Sequence, residues 1–300
     1  MKPTPQTSMR QALKQTAAAG VLLSAALAVT AAGAADLQIG VQRKIPVGLQ
    51  LYSLRAEFPH DVPGTLDKVC QMGFRYVELA GSYGLPLEQY KAMLDQRGLK
   101  PIGMHFPYDR YVKDVEGIAR EAQALGLQYV GCAWIPHKGP FDEKQCRAAA
   151  AVFNRAGEAL AKHGLKFYYH NHGYEFGPYG DGTMFDLLVA ETKPEFVYFQ
   201  MDLLWALIPG QDPAKLFDKY GSRWLLVHLK DLKKGVPTNN MTGHTDVSND
   251  VALGSGQMDW PAVLRAAEKA GVKYYFIEDE SPTALQQIPQ SLKFLEGVKL

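Results

Sequence analysis

Cysteine is scarce and unpatterned in this chain. Cys70, Cys132 and Cys146 fall in no CxxC or Cys/His spacing, so neither a zinc finger nor thiol catalysis is expected, and no disulfide is predicted. Charge of one sign is missing too: 32 Lys and Arg against 31 Asp and Glu leave a formal net charge of +1. With no basic run, nothing points to nucleic acid or an anionic membrane surface as partner. No GxGxxG follows the first predicted strand, which counts against a dinucleotide-binding fold, and no glycine-rich loop suited to cradling phosphate is evident. The charge-free run at 17–35 is mostly alanine, too weakly apolar for a spanning helix. Lys2, Arg10 and Lys14 precede it and small residues close it, so residues 1–35 read as a cleaved signal peptide. No Arg-Arg pair is present, which favours the general secretion route. The mature chain, 36–300, is then expected to be exported, periplasmic, and without stable membrane association.

What the chain has is alternation. Strands are predicted at 47–54, 75–81, 100–107, 128–136, 166–172, 196–202, 224–231 and 273–280, each followed by an amphipathic helical stretch. Several helices end in Gly and feed straight into the next strand, as in RGLKPIGM, LGLQYVG and HGLKFYY. Eight such repeats in roughly 250 residues fit one α/β domain, a single (β/α)8 TIM barrel, better than an open doubly wound sheet. One irregular stretch, 233–256, interrupts the pattern between the seventh strand and its helix. Long loops on such a scaffold are usually functional or mobile.

Ionisable residues gather where these strands end. The second strand carries Glu78, the third His105, the fifth His170 and His172. The sixth carries Asp202, the seventh His228 and Lys230, and the eighth Glu278 and Glu280. In a (β/α)8 barrel all these ends meet at one mouth. The side-chain period of two puts Tyr168, His170 and His172 on one face, His228 and Lys230 on another, and Glu278 and Glu280 on a third. A His, Asp, His and Glu, one from each of four successive strands, make a plausible shell for one divalent metal ion, with Mn, Co, Zn, Fe and Mg all open. Aromatics near the strand ends, among them Tyr52 and Trp205, suit stacking on a sugar ring, and His244 in the long loop is a candidate lid residue.

GLQLYSLR, YVELAG, HNHGYEF, QMDLLWA, HLKD, GSGQMDW and IEDE, in that order over about 45–297, resemble the sugar phosphate isomerase/epimerase group of the xylose isomerase-like barrels. The resemblance implies a metal held by residues of strands five to eight, which fall here on His170, Asp202, His228 and Glu278. It also implies a small carbohydrate as partner; Glu78, the aromatics Trp205 and Tyr52 and the loop residue His244 are expected at the substrate. Oligomeric state is left open, a homo-oligomer included. At strand five the epimerases have glutamate and this chain has His170. A metal-bound imidazole is a poor base, so the proton-moving group is sought among Glu175, His172, Lys230, His105 and Glu278. The expected activity is isomerisation or epimerisation of an unphosphorylated keto-sugar or polyol through a metal-stabilised enediolate. The alternatives are a metal-dependent lyase or dehydratase on 3-keto-glycosides and a barrel that binds sugar without turnover.

Overall fold

A computed structural model of the chain describes Ile39 and residues 45–300. The expected signal peptide at 1–35 lies outside the described residues. Eight parallel strands form the centre: β1 Val47–Gln50, β2 Tyr76–Leu79, β3 Lys100–His105, β4 Tyr129–Cys132, β5 Lys166–His170, β6 Val197–Asp202, β7 Trp224–Leu229 and β8 Tyr274–Ile277. Each pairs with its sequence neighbours, and β1 also pairs with β8, closing the barrel. The (β/α)8 expectation holds. Most strands are shorter than the β-forming runs suggest, because the chain leaves the ladder where its side chains turn polar. β1 stops at Gln50 and passes into a 3-10 turn, Leu51–Leu54, and β5 stops at His170.

Two apolar layers follow from the period of two. Ile102, Tyr129, Tyr168, Leu226 and Phe276 form a small buried cluster distinct from the larger one between strands and helices. These residues alternate with the site residues His170, His228 and Glu278, so they fill the barrel lumen beneath the site. Gly131 is small for that reason. A Cβ there would stand 2.3 Å from the Tyr168 ring and 2.7 Å from the His105 ring.

The helices begin on aspartates. Asp61, Asp114, Asp142, Asp212 and Asp259 each accept a backbone N–H in the first turn of their helix. Asp61 with proline at the helix start explains why the first helix is Val62–Gln71, earlier than the apolar spacing alone suggests. Two short helices escape a periodicity reading, Tyr108–Lys113 and Leu203–Leu207, since neither is long enough to show one. Among the described residues no helix is long and apolar enough to cross a membrane, and the three cysteines are free.

The long stretch after β7 is more ordered than its composition suggests. Asp231–Leu232 pairs antiparallel with Asp250–Val251. The buried Asp231 carboxylate then accepts from the N–H groups of Gly254, Gly256 and Met258 and from Trp260 Nε1, at 2.9–3.1 Å. A Cβ on Gly256 would lie 2.2 Å from Asp231 Oδ1, so glycine is required there. The GSGQMDW segment is thus folded around one carboxylate, and it fixes Asp250 against the barrel mouth.

Candidate functional site

Glu78 is the floor of the site. It is fully buried and lines neither of the cavities described below. Gln50 Nε2 donates to it at 2.7 Å, Gln200 Nε2 at 3.0 and 3.2 Å, and the Tyr168 hydroxyl and His228 Nε2 at close range. Burial opposes its charge, but His228, His105 and the hydrogen bonds from His228 and Tyr168 outweigh that and bring its carboxyl down to about 2. Glu78 was expected at the substrate; with both oxygens already engaged, it instead orients the residues above it.

That orientation can be followed atom by atom. The Glu78 carboxylate fixes the Gln200 amide with its Nε2 downward. Gln200 Oε1 then accepts from His105 Nε2 at 2.9 Å and from His170 Nδ1 at 3.0 Å. With its proton on Nδ1, His170 presents Nε2 as a lone pair. That lone pair faces Asp202 Oδ2 at 3.7 Å, and Asp202 Oδ2 is buried with no hydrogen-bond partner. Lys230 Nζ, 3.5 Å from that oxygen, balances its charge without a hydrogen bond, and two buried acceptors facing one another favour a further cation between them. Asp202 Oδ1 is occupied elsewhere, accepting from Trp205 N at 2.9 Å as the cap of Leu203–Leu207.

His228 completes the set. Nε2–H is held by Glu78, and Nδ1 lies 2.9 Å from Glu278 Oε2 and 3.9 Å from Asp202 Oδ2. A carboxylate behind a ligating imidazole is the usual support for a metal-binding histidine. The ligand atoms of Asp202, His228 and Glu278 all lie within 4.8 Å of one another, as do those of His105, His170 and His228. Divalent ions bind such atoms at about 2.0–2.2 Å, so a shell of this width fits one. Burial works against charge on His228, yet Glu78 and Glu278 push it up to about 10, so without an ion the ring carries both protons, and an ion at Nδ1 would displace one of them. Burial, with the neighbouring His228 and His172, holds His170 well below the ordinary value, so it is neutral and ligand-ready. Burial, reinforced by Glu278 against the pull of Lys230, raises the Asp202 carboxyl to about 6.

Lys230 is the other cation. It is 1% exposed. Its Nζ lies 2.5 Å from Glu280 Oε1, 3.4 Å from Glu278 Oε2, 3.5 Å from Asp202 Oδ2 and 3.9 Å from Asp250 Oδ2. Burial penalises its charge, but these four carboxylates hold its pKa well above the ordinary value. Asp250 and Gln200 have site roles that the sequence reading missed. Gln200 had a signal, since it shares a face with Asp202 in QMD; Asp250 had none, because only the Asp231 clamp brings it in.

Two adjoining cavities open above this layer. The first, about 330 Å³, is the cup over the candidate ligand cluster; its wall includes Tyr52, His105, His170, His172, Glu278 and Glu280. The second, about 290 Å³, lies beside it under the long loop and includes Trp205, Lys230, His244, Val247 and Asp250. Trp134, His172 and Glu280 belong to both walls. Tyr52, His105, His172, Trp205, Lys230 and His244 are therefore brought to one mouth, with Tyr52 at its exposed rim.

Glu175 is not brought there. It is fully buried, accepts from the Tyr169 hydroxyl, and takes the His172 N–H at 3.0 and 3.1 Å. Tyr169 points away from the lumen, on the opposite face of β5 from His170, so Glu175 braces the turn carrying His172 from behind. Burial lifts its carboxyl to about 7, against those hydrogen bonds. A raised carboxyl pKa favours the folded state at low pH, and that contribution is lost as pH rises through about 7. Glu175→Gln is therefore expected to gain stability relative to the parent between pH 5 and 8, since each tenfold change in proton affinity is worth about 1.4 kcal/mol. Denaturant melts at both pH values measure it; a stability difference independent of pH counts against the buried, raised carboxyl.

Several known proteins resemble this chain in sequence and fold. Inosose dehydratase of Clostridium botulinum (strain Alaska E43 / Type E3) is 23% identical over 266 residues, spanning 78% of this chain and 87% of that protein. The crystal structure of a sugar phosphate isomerase/epimerase from Parabacteroides distasonis aligns with a TM-score of 0.70 at 26% identity, over 83% of this chain and 96% of that one. The IOLI protein, whose structure holds a zinc atom, shares the fold with a TM-score of 0.65 at 12% identity, over 83% of this chain and 95% of that one. The family profile for xylose isomerase-like TIM barrels matches residues 66–298, and the chain belongs to that family.

Proposed function

We propose that this protein is a divalent-metal-dependent lyase that eliminates a β-oxygen from an unphosphorylated polyhydroxylated ketone, a keto-sugar or keto-cyclitol. One observation carries the choice over isomerisation. The carboxylates lining the two cavities, Glu278 and Glu280 just after β8 and Asp250 in the long loop after β7, stand on one side, while the β3–β5 side presents the imidazoles of His105, His170 and His172. Epimerisation needs a proton-moving group on each face of the substrate. Here the strand-five position is His170 and Glu175 is turned away, so the second carboxylate is missing. Elimination needs one base and one nearby proton donor. The curated relatives named inosose dehydratase support the same choice. The sequence reading put isomerisation first, and that order is reversed.

An ion held by His170, Asp202, His228 and Glu278 supplies, when bound, the Lewis acidity that makes the C–H beside a ketone acidic. Glu280 is partly exposed at the junction of the cavities and takes the α-proton. Lys230 Nζ, 2.5 Å from its Oε1, holds it in place. Once Glu280 is protonated, one of the four charges holding the Lys230 proton is gone, and that proton can pass to the departing oxygen. Among the described residues the ammonium at the mouth, Lys230, is already matched by four carboxylates, which disfavours a phosphate there and favours an uncharged substrate.

The isomerase reading keeps one support, the Parabacteroides neighbour. Incubation with inosose and with keto-hexoses in D2O, with Mn, Co or Zn added, separates the two. Elimination yields a conjugated enone seen in the ultraviolet; isomerisation incorporates deuterium without it. Deuterium uptake alone would replace the lyase reading. Neither signal with any metal would leave sugar binding without turnover.

A further inference from the structure

The side chamber has more recognition chemistry than a small ketone needs. It is nearly as large as the cup, about 290 against 330 Å³. Three residues of its wall hold buried polar atoms with no partner in the protein: Trp205 Nε1, Asp250 Oδ1 and His172 Nδ1. Trp205 and Asp250 are 7% and 3% exposed. Buried polar groups without partners are uncommon and each is costly. A donor, an acceptor and an imidazole nitrogen around one chamber form a set that hydroxyl groups would complete. Trp134, whose ring centroid is 5.4 Å from that of His172 and 5.6 Å from that of His244, adds an aromatic wall of the kind on which a ring stacks.

We infer that the side chamber seats a hydroxyl-bearing ring that the substrate carries as its leaving group, so that the preferred substrate is a glycoside oxidised at C3 and not a free keto-sugar. This rests on the lyase reading above and deepens it. The two cavities meet at Trp134, His172 and Glu280, so a substrate filling both has its joining bond among those residues. For a glycosidic oxygen on C1 to be β to a ketone, the ketone is at C3 and the acidic hydrogen on C2. Glu280 takes the C2 proton, the C1–O bond breaks with its electron pair passing to the ring-bearing oxygen, and that oxygen takes up one proton from Lys230. An enone and a ring alcohol leave, and no oxidant or reductant is consumed. A monocyclic ketone would occupy the cup and leave the side chamber's three polar atoms unanswered.

The test compares three 3-keto-glucosides on the metal-loaded protein: methyl, 4-hydroxybenzyl, and the disaccharide with glucose as leaving group. Methanol and 4-hydroxybenzyl alcohol are of similar leaving ability, so that pair reports on recognition directly; for the more acidic sugar hydroxyl, the loss of the advantage on Trp205→Phe separates recognition from leaving ability. At least one ring-bearing substrate is expected to exceed the methyl compound tenfold or more in kcat/KM, and which one identifies the ring as phenolic or sugar. Trp205→Phe is expected to cut that advantage threefold or more, chiefly through KM. An advantage below tenfold for both ring-bearing substrates overturns the proposal. If no compound turns over, the lyase reading fails, and calorimetry with the unoxidised glycosides decides the chamber separately. Tenfold tighter binding of 4-hydroxybenzyl glucoside or the disaccharide than of methyl glucoside keeps it; anything less overturns it.

Discussion

Asp202→Asn is expected to abolish tight divalent-metal binding while leaving the barrel folded. The substitution keeps Oδ1, which accepts from Trp205 N at 2.9 Å and caps the short helix after β6. It replaces Oδ2, the unpartnered oxygen facing the His170 lone pair, with an NH2 group that can donate to that lone pair. The acceptor pair that favours a cation becomes a hydrogen bond that does not. Folding tolerates the change, because burial already raises the Asp202 carboxyl to about 6 and a neutral amide removes one buried charge beside Glu278. Outer-shell changes at metal sites cost about 10–100-fold in affinity, so loss of a ligand oxygen costs at least roughly 100-fold. Metal-dependent turnover falls by several kcal/mol of transition-state stabilisation, about 1,000-fold or more. Zinc or manganese titration against a competing chelator, with circular dichroism for the fold, measures both. An affinity within threefold of the parent would remove Asp202 from the ligand set.

The second large effect is on stability. Lys230→Met removes a buried ammonium from among Asp202, Asp250, Glu278 and Glu280. Methionine matches the stem but leaves the four carboxylates facing one another. Stripping one partner from a buried charge set costs about 3–5 kcal/mol. Added divalent metal is expected to restore part of the loss in the variant, since it returns positive charge to Asp202 and Glu278. The pH dependence has a definite sign. In the parent, Lys230 has its pKa raised, so its contribution is complete below the unfolded value and is lost only at strongly alkaline pH. Between pH 5 and 8 the parent contribution is therefore constant. In the variant the orphaned carboxylates take up protons as pH falls, so the gap narrows toward pH 5. Guanidinium melts at pH 5 and 8, with chelator and with metal, show the pattern. Equal stability of variant and parent at pH 8 without metal would refute it.

The barrel was legible because its signals are local. Glycine-ended helices and eight β-forming runs need only a window of ten residues, and the strand-end residues follow from the period of two. Asp202, His228, Glu278 and Lys230 are legible on that basis alone. The parts that were missed depend on geometry no window contains. Glu175 lies three residues past His172, which suggests a shared site. Yet Gly173, at φ 94°, turns the chain so that Glu175 points behind β5 toward Tyr169. Asp250 is placed by a two-residue ribbon and a loop wound on Asp231. Glu78 was recognised as a strand-end acid, but its place below His170 and His228 came from the length of Tyr168 and Gln200, which reach it across the lumen.

That central carboxylate also bears on how the molecule assembles. Its partners are 28 residues away at Gln50, 90 at Tyr168, 122 at Gln200 and 150 at His228. No contiguous half of the chain contains them all, so the tautomers of His170 and His228 are set only after β1, β2, β5, β6 and β7 have come together. Contacts of such long sequence separation form late in folding. If the proposed ion binds, its affinity is then a gauge of ring closure. A chain that has collapsed, with its helices formed but its barrel still open, would carry His170, Asp202, His228 and Glu278 without the geometry to hold an ion.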